Sequence, residues 1–150
     1  AERKAAAEEA ALARPTGRPS VLDREAFHYL RAVSHVRLRQ FRRAEEPLQR
    51  CLALNPNHAE ALNTLAYLWA CRGENLPRAE RYVRRALAQE PENAAYRDTL
   101  AWVLHRLGRD GEALAEIVRA RETLPRDQEI DAHWREISGA VRGGAPSAGE

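Results

Sequence analysis

The sequence predicts an all-α fold in which three pairs of helices stack into a solenoid. The first observation behind this prediction is a fixed period, because Ala44, Ala79 and Ala113 lie 35 and 34 residues apart. Three further columns repeat at 34 or 35 residues: Pro56, Pro91 and Pro125; Cys51, Ala86 and Ala120; and Ala32, Ala66 and Ala101. A period of roughly 20–50 residues indicates stacked repeats, because one helix pair cannot bury its apolar face alone.

The second observation is that larger apolar side chains accompany the small ones at helical spacing. They are Leu65, Trp69 and Val83 in the middle copy and Leu100, Leu104 and Ile117 in the third. The small residues let two helices approach closely, and the larger residues fill the remaining space. A leucine forced into one of the alanine columns is expected to cost roughly 1–3 kcal/mol in overpacking.

These columns resemble the tetratricopeptide repeat. In the middle copy the matching residues are Leu62, Leu65, Ala66, Trp69, Ala79, Val83, Ala86 and Pro91. The resemblance covers roughly residues 25–127. It implies a right-handed superhelix of three repeats with a C-terminal capping helix. Arg31 and Arg97 depart from the pattern and predict looser packing in the first and third copies.

The repeats are expected at about 25–58, 59–93 and 94–127, with a cap helix at 128–141. Arg135 stands where a fourth repeat would carry a small residue, and this favours a cap over another repeat. The tetratricopeptide domain therefore spans 21–141. Residues 1–20 form a helical leader and linker in this interpretation, and residues 142–150 form a flexible tail. The tail of an upstream repeat is the alternative interpretation of residues 1–14.

Local signals set the expected helix ends. Asp23 is the expected N-cap of a first helix that runs from about Arg24 to Leu38, without a capping box. Asn75 is the expected N-cap of the second helix of the middle copy, and Gly108 is expected to close the first helix of the third. Pro47 lies inside a predicted helix, where it should kink the helix or mark a short first turn.

Composition excludes several classes of partner. Hydrophobic residues make up 44% of the chain, and the formal net charge is only +2. Because arginine and glutamate are interleaved along the helices, the pattern favours solvated faces over a nucleic-acid surface. The sequence shows no signal peptide, no lipidation motif and no apolar run long enough to span a membrane, so direct membrane insertion is not expected.

The cysteines predict neither a disulfide framework nor a metal site. Cys51 stands in an alanine column and is expected to act as a small buried residue. A zinc site built from Cys51, His58 and Cys71 would lack a fourth ligand, so no metal is expected. No cofactor motif is present, and a Gly-rich phosphate loop is missing.

No catalytic constellation stands out in the sequence. His35 occupies a column that holds Trp69 and Leu104 in the other copies, which favours packing over catalysis. The paired acidic residues lie among basic neighbours, as on a solvated helix face. The sequence therefore predicts that this chain is not an enzyme.

The resemblance implies a concave face lined by the first helix of each repeat, where members of the family hold partners. The corresponding groove residues are Tyr29, Val33, Arg37, Asn63, Tyr67, Cys71, Asp98, Trp102, His105 and Arg106. Tyr67 and Trp102 lie 35 residues apart and repeat in register. They either anchor a partner or pack between adjacent helices, and the sequence does not decide between these two hypotheses.

Some members of the family bind the acidic C-terminal tails of heat-shock chaperones through a clamp of lysine, asparagine and arginine. The matching positions here are Tyr29, Val33, Thr64, Ala95 and Thr99. Since none of them is one of those residue types, the sequence argues against chaperone-tail binding of that kind.

The sequence thus predicts a non-enzymatic scaffold that binds a peptide or protein segment in the concave groove. The alternative is a structural or oligomerisation module that uses its convex or end surfaces, with possible self-association. Nucleic-acid binding through arginines of the second helices is the weakest hypothesis. The runs 63–70 and 98–104 resemble a bacterial subgroup with many envelope-associated or secreted scaffolds. The compartment itself, periplasmic, envelope-associated or cytoplasmic, is not readable from the sequence.

Overall fold

A computed structural model describes residues 17, 18 and 20–144, and this part of the chain is helical without strands. Its elements are α1 (Val21–Arg37), α2 (Phe41–Leu54), α3 (Ala59–Arg72), α4 (Leu76–Gln89), α5 (Ala94–Arg106), α6 (Asp110–Thr123) and α7 (Gln128–Gly144). The predicted leader helix at 1–14 lies outside the described residues. No helix among those described is long and apolar enough to cross a membrane.

The helices pack in the order that the repeat predicts. The pairs α1–α2, α3–α4 and α5–α6 make the most extensive contacts, and each pair stacks on the next. The first helices also touch one another, α3 against α5 and α5 against α7. Helix α7 therefore follows the third pair in the position that the first helix of another repeat would take. This arrangement confirms an all-α solenoid of three helix pairs with a C-terminal cap.

The core follows the predicted columns. The six alanines at the helix crossings are fully buried: Ala32, Ala44, Ala66, Ala79, Ala101 and Ala113. Trp69 and Leu65 fill the middle copy, and Cys51 is buried as a small residue in its alanine column. Burial of apolar surface in one continuous cluster is what joins the pairs, at about 25 cal/mol per Å² removed from water.

The expected looser packing is correct for the first copy and wrong for the third. Helix α1 buries only Glu25 and Ala32, whereas α5 buries as many residues as α3. Arg97 does not loosen α5, because its guanidinium reaches out of the core and donates to Glu116 at 2.8 Å. Arg31 lies on the exposed side of α1 and pairs with Glu46.

Helix α1 begins earlier than predicted. Ser20, rather than Asp23, is the N-cap: the Ser20 hydroxyl accepts from the Asp23 backbone N–H at 3.1 Å, and the Asp23 carboxylate accepts from the Ser20 backbone N–H at 2.8 Å. The two residues form a capping box in which aspartate replaces the more usual glutamate or glutamine. The helix therefore starts at Val21 rather than near Arg24.

Among the other predicted helix ends, the end of α7 differs, whereas Asn75 and Gly108 lie where the sequence predicts a cap and a stop. Helix α7 continues to Gly144, so Gly143 and Gly144 are helical rather than part of a flexible tail, and residues 145–150 lie outside the described part. Asn75 is the N-cap of α4, but its side chain makes no capping hydrogen bond because its backbone is left-handed, with φ 49°. Gly108, with φ 78°, follows the end of α5 as predicted.

Pro47 does not mark a short first turn. It is buried within α2, which runs without interruption from Phe41 to Leu54. Proline has no N–H to donate, so the carbonyl of Arg43 loses its usual partner in the helix. Burial of the ring against the neighbouring helices offsets part of that loss, and the chain stays helical on both sides.

Candidate functional site on the inner face

The first helices bring the predicted groove residues to one side of the solenoid. We call this side the inner face; it consists of the ten predicted groove residues together with Glu129, His133 and Glu136 of α7. Tyr29, Asn63 and Asp98 lie 34 and 35 residues apart, and His133 follows Asp98 by another 35. Val33, Tyr67 and Trp102 form a second row one helical turn further on.

Helix α7 packs against this face through a buried pair of ionisable groups. The Nδ1 atom of His133 lies 2.8 and 3.1 Å from the two carboxylate oxygens of Asp98, which is only 6% exposed. Burial opposes a charge on His133, but the hydrogen bond and charge of Asp98 outweigh it and raise the pKa of the imidazole above its ordinary value. Burial likewise raises the pKa of Asp98, against the opposite effect of His133.

The indole of Trp102 also packs against α7. Its ring stacks on His133 with centroids 4.4 Å apart and planes 22° apart, and His105 lies against it at 5.2 Å. Offset stacking of this kind adds about 0.5–1.5 kcal/mol beyond the area buried. The Nε1 atom of Trp102 is nevertheless buried without a nitrogen or oxygen partner among the described residues, although its N–H lies close enough to the Cys71 thiol to oppose the rise in that group's pKa.

Tyr67 connects α3 to α7 across the intervening α5. Its hydroxyl donates to the Glu129 carboxylate at 2.7 Å. Burial and the neighbouring Glu129 raise the pKa of the Tyr67 phenol well above its ordinary value, so the hydroxyl keeps its proton. Tyr67 and Trp102 therefore both pack within the chain, as one of the two sequence readings expects. Binding of a partner by these side chains stays a prediction.

The other half of the inner face is more open. Tyr29 and Val33 are half-buried, and Arg37 is exposed at the end of α1. The Tyr29 ring lies 4.8 Å from the ring of His58. Asn63 is half-buried, and its Oδ1 atom has no hydrogen-bond partner among the described residues.

Cys71 and Arg106 lie at the same end of the face as Arg37. Cys71 is exposed as a residue, but partial desolvation raises the pKa of its thiol, so the thiol is not activated as a nucleophile. Arg106 is exposed and passes over the turn after α3, where a Cβ atom on Gly73 would lie 2.8 Å from its Nη2 atom. Among the described residues, neither Arg37 nor Arg106 takes part in an ion pair.

His105 and His35 have polar partners within the chain. His105 Nδ1 lies 2.6 Å from Asp110, and its Nε2 lies 3.6 Å from Glu136 of α7. His35 Nδ1 lies 3.0 Å from the side-chain oxygen of Gln40. Within the described range, no serine, threonine or cysteine side chain is hydrogen-bonded to any of these rings. The inner face thus offers polar and aromatic contacts.

The periodic columns did not predict the residues that α7 contributes to the inner face. Glu129, His133 and Glu136 contact Tyr67, Asp98, Trp102 and His105. Extending the columns by one more period would have found His133, because it lies 35 residues after Asp98. The charged residue at Arg135 concealed that continuation.

Comparison with known proteins identifies the fold. No family model matches the chain, and a search of curated proteins gives no match. A mutant of the Thermobaculum terrenum O-GlcNAc transferase superposes with a TM-score of 0.73 at 23% identity over 81% of this chain. The chain spans only 23% of the length of that transferase.

Two isolated domains match along nearly their whole length. The tetratricopeptide domain of Arabidopsis OM64 gives a TM-score of 0.71 at 14% identity, covering 80% of this chain and 98% of that one. The first such domain of Spaghetti (RPAP3), bound to the HSP90 peptide SRMEEVD, gives 0.68 at 16% identity, covering 79% and 94%. With its three stacked helix pairs and its capping helix, the chain has the fold of a tetratricopeptide repeat domain.

Proposed function

We propose that this chain is a non-enzymatic interaction module that binds a peptide or protein segment on its inner face. The observation that carries the proposal is a pair of unsatisfied polar atoms, Asn63 Oδ1 and Trp102 Nε1, on the adjacent first helices α3 and α5. Buried polar groups are almost always hydrogen-bonded, and each exception needs a reason. Both atoms are covered in the free chain, so a peptide backbone whose N–H and C=O groups pair with them must displace the side chains that cover them.

The end of the inner face that carries Arg37 and Arg106 favours a partner with a carboxylate group. Arg37 and Arg106 are exposed there without ion pairs among the described residues. Both guanidinium groups can hydrogen-bond a carboxylate in a bidentate manner. Because the open surface is short, the expected affinity is micromolar, or about −8 kcal/mol.

The partner differs from the peptide seen in the Spaghetti complex. The positions that would form a two-carboxylate clamp carry no cation, and two of them have hydroxyls already in use. Thr64 donates to the Glu60 carbonyl at 2.7 Å and Thr99 to the Ala95 carbonyl at 3.1 Å. We therefore expect a segment whose main chain meets Asn63 and Trp102, with a carboxylate toward Arg37 and Arg106.

Peptides selected from a random displayed library against the full chain would test this proposal. Their Kd, measured by fluorescence anisotropy, should weaken at least about tenfold, or 1.4 kcal/mol, in Asn63→Ala and in Arg37→Glu/Arg106→Glu. The matched control is Arg81→Glu/Arg119→Glu, which reverses two exposed charges on the second helices α4 and α6. Loss of binding in the control but not in the inner-face variants would refute the proposal.

We do not expect this chain to bind nucleic acid. Several arginines of the second helices are paired with glutamates on the same surface, as Arg84 is with Glu80 at 2.9 Å and Arg42 with Glu74 at 3.7 Å. Paired charges release few counterions on binding a phosphate backbone, and this weakens the electrostatic driving force.

One observation favours self-association as a second candidate function. Large apolar side chains are exposed on α1, in the turn after it and at the start of α2: Val21, Leu22, Phe27, Leu30, Leu38 and Phe41. Phe27 is 61% exposed, whereas Ala61 and Tyr96, one and two periods later, are buried by the preceding helix pair. No helix precedes α1 in the described part of the chain.

A second copy of this chain could cover that end surface. Light scattering across a concentration series should then show a mass that rises with concentration and becomes monomeric in Phe27→Ser. Leu124→Ser is the control, because Leu124 is also exposed but lies between α6 and α7 at the opposite end. A constant monomer mass in the unmodified chain would exclude this second function.

A further inference from the structure

A buried corner between the first and second repeats gathers three metal-ligand side chains. Potential ligand atoms of Glu25, Cys51 and His58 all lie within 4.8 Å of one another. Glu25 is 8% exposed and Cys51 is fully buried, while His58 is half-buried at the start of α3. We propose that Glu25, Cys51 and His58 form a binding site for a borderline divalent metal ion such as Zn²⁺.

The equivalent corners of the other repeats carry no such set. The residues one and two periods after Glu25 are Ala59 and Ala94; those after Cys51 are Ala86 and Ala120; those after His58 are Asn93 and Asp127. All three ligand types therefore appear together, once, at the first junction. Helix capping alone does not require them, because Asn93 and Asp127 perform the N-cap role of His58 at the later junctions.

The charge of Glu25 supports the proposal. No lysine or arginine among the described residues pairs with this buried carboxylate; its contacts are the Asn55 side-chain amide, which donates to it at 2.7 Å, and His58 Nε2 at 3.6 Å. A buried carboxylate is costly unless a cation or several hydrogen bonds compensate it. A divalent ion between Glu25, Cys51 and His58 would supply that compensation.

The geometry needs only a small contraction. In a tetrahedral site with Zn–S near 2.3 Å and Zn–N or Zn–O near 2.0–2.1 Å, the ligand atoms lie about 3.3–3.6 Å apart. His58 Nε2 and the Glu25 carboxylate already have this separation, at 3.6 Å. Because three protein ligands leave one tetrahedral position, water would complete the shell, and the partial exposure of His58 gives solvent access.

Two further side chains, Asn55 and Glu60, hydrogen-bond or lie close to the proposed ligands and can orient them. Asn55 orients Glu25 through its hydrogen bond. His58 Nδ1 accepts from the Ala61 backbone N–H at 3.2 Å, so metal binding at Nε2 requires the ring proton to move to Nδ1 and breaks this capping hydrogen bond. The Glu60 carboxylate lies 3.4 Å from Nδ1 and can then accept that proton's hydrogen bond. A carboxylate bonded to the outer nitrogen is the usual arrangement behind a metal-bound histidine. The thiol proton of Cys51 is released to solvent on binding.

Cobalt is the direct probe, because a bond between Co²⁺ and a thiolate produces a charge-transfer band in the near ultraviolet. The untagged, reduced full chain should show this band with one equivalent of Co²⁺ and lose it when Zn²⁺ is added. Cys51→Ala, which restores the residue of the other repeats, should lack the band; Cys71→Ala, which removes the exposed thiol, should keep it. A wild-type chain without the band, or a band that persists in Cys51→Ala, would overturn the proposal.

Thermal unfolding supplies a second readout that does not depend on the thiolate. Zn²⁺ at about 100 times its Kd should raise the Tm of the wild type and of Cys71→Ala by roughly 5–10 °C. It should leave the Tm of Glu25→Ala and His58→Asn unchanged, and both variants carry residues that the later repeats tolerate. Glu60→Ala should weaken Zn²⁺ binding by about 10–100-fold. Equal shifts in all variants would contradict the assignment.

Discussion

His133 of α7 and Asp98 of α5 are one repeat period apart in sequence and hydrogen-bonded at 2.8 Å in space. This pair places α7 in the position of a first helix of the array, although its sequence departs from the repeat. The same contact puts Trp102 beneath His133 and brings Glu129 within reach of Tyr67. The cap thus forms part of the inner face as well as covering the last repeat.

Removing His133 should destabilise the C-terminal end. His133→Ala leaves the Asp98 carboxylate buried without its partner, which is expected to cost about 1–3 kcal/mol in free energy of unfolding. Urea unfolding measures this loss, and Asp98→Ala/His133→Ala should recover part of it because no unpaired charge remains. If the two single changes simply add, the pair is not coupled.

The same pair predicts a dependence of stability on pH. Because the folded pKa of His133 lies above its ordinary value, the folded chain binds this proton more tightly than the unfolded chain does. The stabilisation is therefore complete below about pH 6.5, the value for unfolded histidine, and is lost as pH rises through the folded pKa.

Urea midpoints at about pH 6 and pH 8.5 would test this sign, with His133→Gln as the reference. The difference in free energy of unfolding between wild type and variant should shrink toward the higher pH. The other titratable groups that surround His133 are Asp98, Glu129 and Glu136, and all are retained in the variant. A difference that grows with pH would contradict the assigned shift.

The alanine columns should not tolerate larger side chains. Ala79→Leu inserts three carbons into a fully buried crossing between α3 and α4, and the expected cost is roughly 1–3 kcal/mol. Ala88→Leu is the control on the same helix, because Ala88 is exposed. Similar stabilities for the two variants in chemical denaturation would show that the crossing is not close-packed.

The capping box at Ser20 should be worth a measurable amount. Ser20→Ala removes the acceptor for the Asp23 N–H and is expected to cost about 1 kcal/mol. Hydrogen exchange should become faster in the first turn of α1. Ser34→Ala is the control, since the Ser34 hydroxyl only bonds back to the Leu30 carbonyl within the helix. An unchanged exchange rate at the start of α1 would contradict the cap.

Gly73 and Gly108 form a matched pair for testing the turn after a first helix. Both have positive φ, 69° and 78°, but only at Gly73 would a Cβ atom meet a neighbour, Arg106. Gly→Ala at either site should cost about 1 kcal/mol from the backbone conformation. The Gly73 variant should cost little more than the Gly108 variant, because the atom that its Cβ meets is the far end of a flexible, exposed side chain, and it should displace Arg106. A much larger loss at Gly73 would contradict this prediction and would show that Arg106 is held in place.

The sequence was sufficient for the parts of the molecule that repeat. The alanine columns predicted the helix crossings, and Trp69 and Leu65 predicted the centre of the core, because apolar packing imposes the same period on every copy. On the inner face the residue type changes from repeat to repeat. The column through Asn63, for example, continues as Asp98 and then as His133. A hydrogen bond between two members of such a column depends on residue type, and a period alone does not reveal it.

Two further features lay beyond the periodic pattern for similar reasons. Glu25 completes the metal-ligand corner only because α1 folds beside the start of α3, and it is 33 residues from His58 in sequence. The early start of α1 rests on one serine whose capping partner is an aspartate instead of the usual longer side chain. Both features depend on the types of a few polar side chains, and neither leaves a trace in the spacing of apolar residues.

The indole N–H resonances of the three tryptophans give the most direct test of inner-face binding. Trp69 Nε1 already donates to Glu45 at 3.0 Å, and Trp134 lies under Arg121 at 4.0 Å, so neither should respond to a bound peptide. A ¹H–¹⁵N titration with a selected peptide should shift the Trp102 indole signal alone among the three, as its unpaired N–H gains a partner. A saturating peptide that leaves the Trp102 signal in place would contradict the account.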